Sequence, residues 1–206
     1  MGAGELLAAV AGAVGGLFGI RAGTEEPPYQ LDRTMGAVEV RTYAPRLAAE
    51  TEVEGEKQAA LNEGFSRIAD YIFGANVSRS SIAMTAPVVQ VPASQKIAMT
   101  APVVQTQAGA NRWSVRFIMP AKYTADTLPQ PLDARVMIVQ APAQRYAVLR
   151  FSGSRTPQAV DRRKAQLLDA VAGARLQTTG PVEAWFYDPP WTPPFLRRNE
   201  VAAPIG

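Results

Sequence analysis

Between residues 56 and 73, apolar side chains recur at Leu61, Phe65, Ile68 and Ile72, spaced four, three and four apart. That spacing puts them on one face of a helix, and Gly74 follows where a helix would end in a left-handed residue. A second helix is predicted from Thr156, a capping residue, with Pro157 at its first position. Val160, Lys164, Leu167, Leu168 and Val171 line its inner face and Gly173 ends it. Other stretches alternate with a period of two, as half-buried strands do. Val38, Val40 and Thr42 alternate with Glu39, Arg41 and Tyr43, and Trp113, Val115, Phe117 and Met119 with Arg112, Ser114, Arg116 and Ile118. Further strands are predicted over 136–139, 146–151, 184–187 and 199–201.

The order is strands, helix, strands, and then the same again. Val40, Arg46 and Ala48 echo Val139, Arg145 and Ala147 at a constant offset of 99, which points to an old duplication. The fold class expected is α+β, with a curved, mostly antiparallel sheet and two helices packed on it. A shorter repeat sits inside the first half. The nonapeptide IAMTAPVVQ occupies 82–90 and returns at 97–105. Both copies suit strands, and the reading is a hairpin with its turn in 91–96. Met84 and Met99, one in each copy, read first as packing residues and otherwise as soft contacts in a shared ligand site.

Hydrophobic residues make up 47% of the 206 and charged residues 19%, enough for one domain with its own core. A net charge of +3 spread thinly, without a dense basic stripe, argues against a nucleic-acid partner. There is no cysteine and no histidine. Thiolate chemistry and zinc–thiolate sites are excluded, and the commonest general base and metal ligand is missing. The run at 6–20 carries no charge. Its length fits the apolar core of a signal peptide and is short for a membrane span. Residues 1–22 are read as a signal peptide or membrane anchor, with a buried or surface helix as the third reading. Residues 23–28, with two adjacent prolines, are read as a linker and 29–206 as the folded domain. This predicts a periplasmic or membrane-anchored bacterial protein.

IAMTAPV, the strand Trp113-Ser114-Val115-Arg116-Phe117-Ile118-Met119-Pro120, and the late stretch YDPPWTPPFLRRNEV at 187–201 resemble the SOUL/heme-binding protein family. The resemblance covers residue 29 to the C-terminus and is similar to members that carry a doubled IAMTAPV segment. It implies two βαββ-type halves in a distorted barrel-like sheet with two helices, and an apolar cleft beside the first helix that binds heme or another tetrapyrrole. The candidate cleft residues are Leu61, Phe65, Ile68, Met84, Met99, Phe117, Tyr187 and Trp191. A histidine axial ligand is not available here. Where relatives offer basic residues on the first helix, this chain has Asn62 and Asp70; Lys57 and Arg67 remain, with Arg67 expected to face solvent.

The function expected is non-catalytic binding of heme or another tetrapyrrole. Two alternatives stand beside it. One is a membrane-tethered binder of another apolar ligand or a protein segment. The other is a small-molecule hydrolase on the same fold, using Glu63 or Glu183. The closing Arg197-Arg198-Asn199-Glu200 is expected to knit the last strand to the sheet more than to meet a ligand.

Overall fold

The computed structural model describes residues 24–78, 94–188 and 192–206. The apolar run at 6–20, the first nonapeptide copy with Met84, and Trp191 lie outside the described residues. The first half holds β1 (Tyr29–Met35), β2 (Val38–Tyr43), β3 (Arg46–Glu54), α1 (Lys57–Phe73), β4 (Asn76–Val77), β5 (Val103–Gly109) and β6 (Arg112–Ile118). After β7 (Gln130–Pro131) come β8 (Met137–Ala141), β9 (Gln144–Phe151), α2 (Pro157–Gly173), β10 (Glu183–Phe186) and β11 (Asn199–Ile205).

Nine of these strands form one sheet in the order β1-β2-β9-β11-β10-β5-β6-β3-β8, and each neighbouring pair is antiparallel. Leaving β1 aside, the order is a palindrome about the β10–β5 junction. The run β3-β6-β5 of the first half matches β9-β11-β10 of the second. The lead strands change sides: β2 pairs with β9 of the other half, and β8 with β3. Each half therefore completes the other's sheet. This is the duplicated α+β architecture expected from the sequence, with its offset corrected. The two helices lie 100 residues apart, and so do the helix-facing pairs Ala49 with Leu149 and Thr51 with Phe151. The echo at 99 is one residue out of register. A slip of one residue turns every strand side chain to the opposite face. Val40 packs beneath α2, but Ile138 and not Val139 packs beneath α1.

The doubled nonapeptide does not form the expected hairpin through its second copy. Val103–Gln105 begin β5, and β5 has β10 on one side and β6 on the other. No free edge remains there for the first copy. The rest of the second copy, 97–102, is irregular and runs beside α1, where Ile97 N–H donates to Ile72 O at 2.9 Å.

The helices cover one face of the sheet. α1 packs on β3 and β6, and α2 on β9 and β11. Glu56 caps α1, its carboxylate accepting from Gln58 N and Ala59 N at 2.9 and 3.2 Å. Gly74 closes it at φ +131°, a conformation that L side chains rarely adopt. At α2 the cap differs from expectation. Thr156 holds the N-cap position, but its side chain accepts no helix N–H. Leu61, Ile68, Tyr71 and Ile72 are buried against Ala49, Val115 and Phe117, each large side chain worth roughly 1.5–3 kcal/mol of apolar burial.

That contact is close because residue 64 is glycine. A Cβ there would stand 2.7 Å from Val115 Cγ2, itself fully buried. Gly64→Ala should therefore lower stability by about 1 kcal/mol, overpacking of roughly 1–3 kcal/mol outweighing about 1 kcal/mol of improved helix propensity. A rise in the urea midpoint instead would show that α1 can lift off β6 without cost.

Candidate functional site

The sheet face opposite the helices carries the polar and aromatic chemistry. Along β9, Ala147, Leu149 and Phe151 point at α2, while Tyr146 and Val148 join Tyr43, Val104, Trp185 and Tyr187 on the far side. Tyr43, Tyr146 and Trp185 meet edge to face, with ring centroids 5.1–5.9 Å apart. Two buried carboxylates stand among them.

Glu200 is the more heavily engaged. Arg41 donates to both its oxygens at 2.9 and 3.2 Å, Arg198 donates twice to Oε1 at 3.1 and 3.0 Å, and the Tyr187 hydroxyl donates to Oε2 at 2.7 Å. Burial alone would raise this carboxyl, but the Arg41 and Arg198 guanidiniums and the tyrosine hold it below the ordinary glutamate value. Burial and the neighbouring Glu200 push Tyr187 well up. Asn199 is tied down as well, its Oδ1 accepting from Arg155 Nε at 2.8 Å. The Arg198-Asn199-Glu200 stretch thus knits β11 into the sheet, as the sequence reading expected.

Glu183 is held by Trp185, whose Nε1 donates to Oε2 at 2.7 Å. Burial dominates here and raises its pKa, with Trp185, Arg116 and Arg46 opposing. A carboxyl raised in the folded state keeps a proton that the unfolded chain has released. It therefore weakens the fold as pH climbs from the ordinary glutamate value through the raised one. Glu183→Gln should flatten the loss of stability as pH climbs above the ordinary glutamate value, measured by urea melts at each pH. An unchanged slope would mean that Glu183 is ionised in the folded protein at both ends.

One cavity opens on this face, and a second lies at the end of the sheet, where residues of both faces meet. A chamber of about 10 Å³, space for a single water, lies between Tyr43, Trp185 and Tyr187. Beside it is a cleft of about 380 Å³, within the range of small-molecule sites. Its walls come from five separate parts of the chain: Glu25, Pro27 and Pro28; residues 44–47; Thr100; residues 118–121 and 123–125; and Gln140. Apolar groups prevail, with Leu47, Ile118, Met119, Pro120 and Tyr123 among them, and Arg46 lies at the border with the chamber. The segment before β1 forms the outer wall. Glu25 O accepts from Ala101 N at 2.9 Å, its carboxylate accepts from Ala121 N at 2.7 Å, and Glu26 pairs with Arg198 at 2.9 Å.

The residues singled out from sequence are distributed differently. Leu61, Ile68 and Phe117 are buried together beneath α1. Phe65 lies at the surface with its ring 5.4 Å from that of Phe117, and Met99 is exposed. Tyr187 belongs to the opposite face, bound to Glu200. Met84 and Trp191 fall outside the described residues. Arg67, expected in solvent, is buried: it donates to Thr51 Oγ1 at 2.8 Å and to Glu52 O at 3.2 Å, and pairs with Glu63. It fastens α1 to β3. The cleft residues Arg46, Leu47, Met119 and Tyr123 escaped the sequence reading. Met119 carried a signal there only as an inward position of the strand pattern, and Arg46 only as part of the repeat echo.

These features define the class: a duplicated α+β domain whose curved sheet is backed by helices on one face, bears an aromatic, charged surface on the other, and has a cleft at its end whose Leu47, Met119 and Tyr123 also pack with the core beneath α1. The SOUL heme-binding protein family profile matches residues 24–204, and the chain belongs to that family. No curated protein matches the sequence. Among solved structures, the EcmrR C-terminal domain is similar with a TM-score of 0.57 at 11% identity, covering 86% of this chain and 98% of that one. A hydrolase from Listeria innocua is similar with a TM-score of 0.52 at 9% identity, covering 85% of this chain and 94% of that one. An uncharacterized conserved protein from Listeria innocua gives 0.51 at 12% identity, covering 90% and 94%. At such identities the likeness is one of fold, and function has to be argued from the site.

Proposed function

We propose that the protein binds a tetrapyrrole without catalysing its conversion, and does so without a histidine ligand. The observation that carries this reading is the 380 Å³ cleft, mostly apolar and bordered by one guanidinium. A tetrapyrrole offers a broad apolar face and carboxylates at its rim, and membership of the SOUL family favours that ligand over other apolar ones. The residues present fit the group: apolar walls for the macrocycle, Arg46 for a carboxylate, and the Met119 thioether and Tyr123 hydroxyl as donors on the wall. The Met119 thioether or the Tyr123 phenol would hold a heme iron, and which of them did so would set its potential. Among the described residues no cluster of three acidic, histidine or cysteine side chains could hold a metal by itself.

Hydrolysis by Glu63 and Glu183 finds no support in the geometry. Glu63 lies on the helix side, paired with Arg67, and Glu183 on the opposite face, held by Trp185. Among the described residues no helix is long and apolar enough to cross a membrane. Delivery to the periplasm, or tethering there, would rest on residues 1–22.

The test is a hemin titration of the chain from residue 24 onward, followed by Soret absorbance and by quenching of Trp113 and Trp185. A saturable change near one equivalent is expected. A linear, unsaturable response would overturn the reading.

A further inference from the structure

The arginines around the helix-free face and its rim differ in one respect. Arg41 holds Glu200 at 2.9 Å, Arg116 holds Glu50 at 2.6 Å, and Arg198 holds both Glu26 and Glu200. Arg46 holds no carboxylate among the described residues. Its guanidinium carbon lies 4.2 Å over the Tyr43 ring, and its Nε is buried with no hydrogen-bond acceptor. A guanidinium held by a ring face alone has donors to spare, and an unpaired buried donor is costly. The nearby acids are already engaged. Glu183 accepts from Trp185, Glu50 from Ser114 and Arg116, Glu26 from Arg198, and Glu25 from the Ala121 amide. Arg46 also borders both the chamber and the large cleft. The unpaired cation therefore stands where a ligand in the cleft can reach it.

We propose that Arg46 is a carboxylate-recognition residue, and that the cleft takes an amphiphilic acid: an apolar body against Leu47, Pro120 and Tyr123, with its carboxylate on the Arg46 guanidinium. The planar fork of arginine matches a carboxylate, and the Tyr43 ring beneath it fixes its plane. The inference rests on the cleft named above being the binding site. It does not require the apolar body to be a tetrapyrrole.

Two pairs of probes separate the two ideas. Protoporphyrin IX is compared with its dimethyl ester, and 11-(dansylamino)undecanoic acid with its methyl ester, on the full chain and on its Arg46→Gln variant. Thermal melts of both proteins are recorded alongside. Each acid that binds should bind the wild-type chain at least tenfold more tightly than its ester, and Arg46→Gln should erase that preference. If both porphyrins fail but the dansyl acid keeps an Arg46-dependent preference, the tetrapyrrole reading falls and the carboxylate site stands. If the porphyrins bind with no preference for the free acid, the carboxylate site falls and the tetrapyrrole reading stands. Acid preference that survives Arg46→Gln, or no binding of any probe, overturns the proposal. Should the variant fail to fold, equal binding of acid and ester by the wild-type chain overturns it, and a preference that fades with added salt upholds it.

Discussion

Glu200→Gln is expected to cost about 3 kcal/mol of folding stability, the low end for breaking a buried ion pair, because Arg41 and Arg198 each keep a second carboxylate. The carboxylate is fully buried, as is nearly all of Arg41, so the substitution leaves that guanidinium with only the half-exposed Glu39, 2.7 Å from its Nε, as counter-charge. The new amide group also turns a donor toward donors, since Arg41, Arg198 and Tyr187 all point at this one group. Urea unfolding of the variant measures the loss directly. The double variant Arg41→Met, Glu200→Leu should recover part of it, because replacing a buried ion pair by apolar side chains is far less costly than breaking it. A pH series adds an independent signature. Glu200 is depressed in the folded state, so its contribution is complete above the ordinary glutamate pKa and is lost as pH falls through the depressed value. The wild-type chain should show that acid limb and Glu200→Gln should show less of it. A single variant as stable as wild type would mean that water reaches Arg41 and that the network does not hold β2 to β11.

Ala121→Trp is expected to weaken porphyrin binding by more than tenfold with little change in thermal stability. Ala121 lies on the cleft wall and is exposed, so an indole there grows into the opening without disturbing the core. Its backbone amide, which holds Glu25, is unaffected by the substitution. Phe65→Ala serves as the contrast, because Phe65 stands beside Phe117 on the helix side of the sheet. If the cleft is the site, titration separates the two variants, with only Ala121→Trp losing affinity. If only Phe65→Ala loses affinity, the ligand binds beside α1, as the family resemblance implied.

How much of this was legible beforehand varies with the range of the interactions. Both helices could be read, because the stripe from Leu61 to Ile72 and its counterpart in α2 repeat a local period. The role of Arg67 could not. Next to Ile68 it looks like an edge position, and only the approach of Thr51 and Glu52 from β3 shows why it is buried. The strand partners of the second nonapeptide copy were hidden for a related reason, while the first copy lies outside the described residues. Its letters encode strand propensity but not strand partners, and β10, some eighty residues onward, takes the edge of β5 that the first copy would have needed.

What the amino-acid order settles unaided is therefore local or compositional. It sets the two amphipathic helices, the alternating strands, the repeated halves, and the absence of histidine and cysteine that removes two whole chemistries. The packing decides everything that depends on residues far apart in the chain. It decides that the lead strands exchange between halves, that Leu61, Ile68 and Phe117 form core, and that Arg46 ends beside a cleft with no carboxylate partner among the described residues. A periodic pattern reports which side of an element is buried, because burial of a face is an average over many neighbours. It does not report which neighbour lies opposite, and both a cleft and an unpaired guanidinium are properties of that pairing.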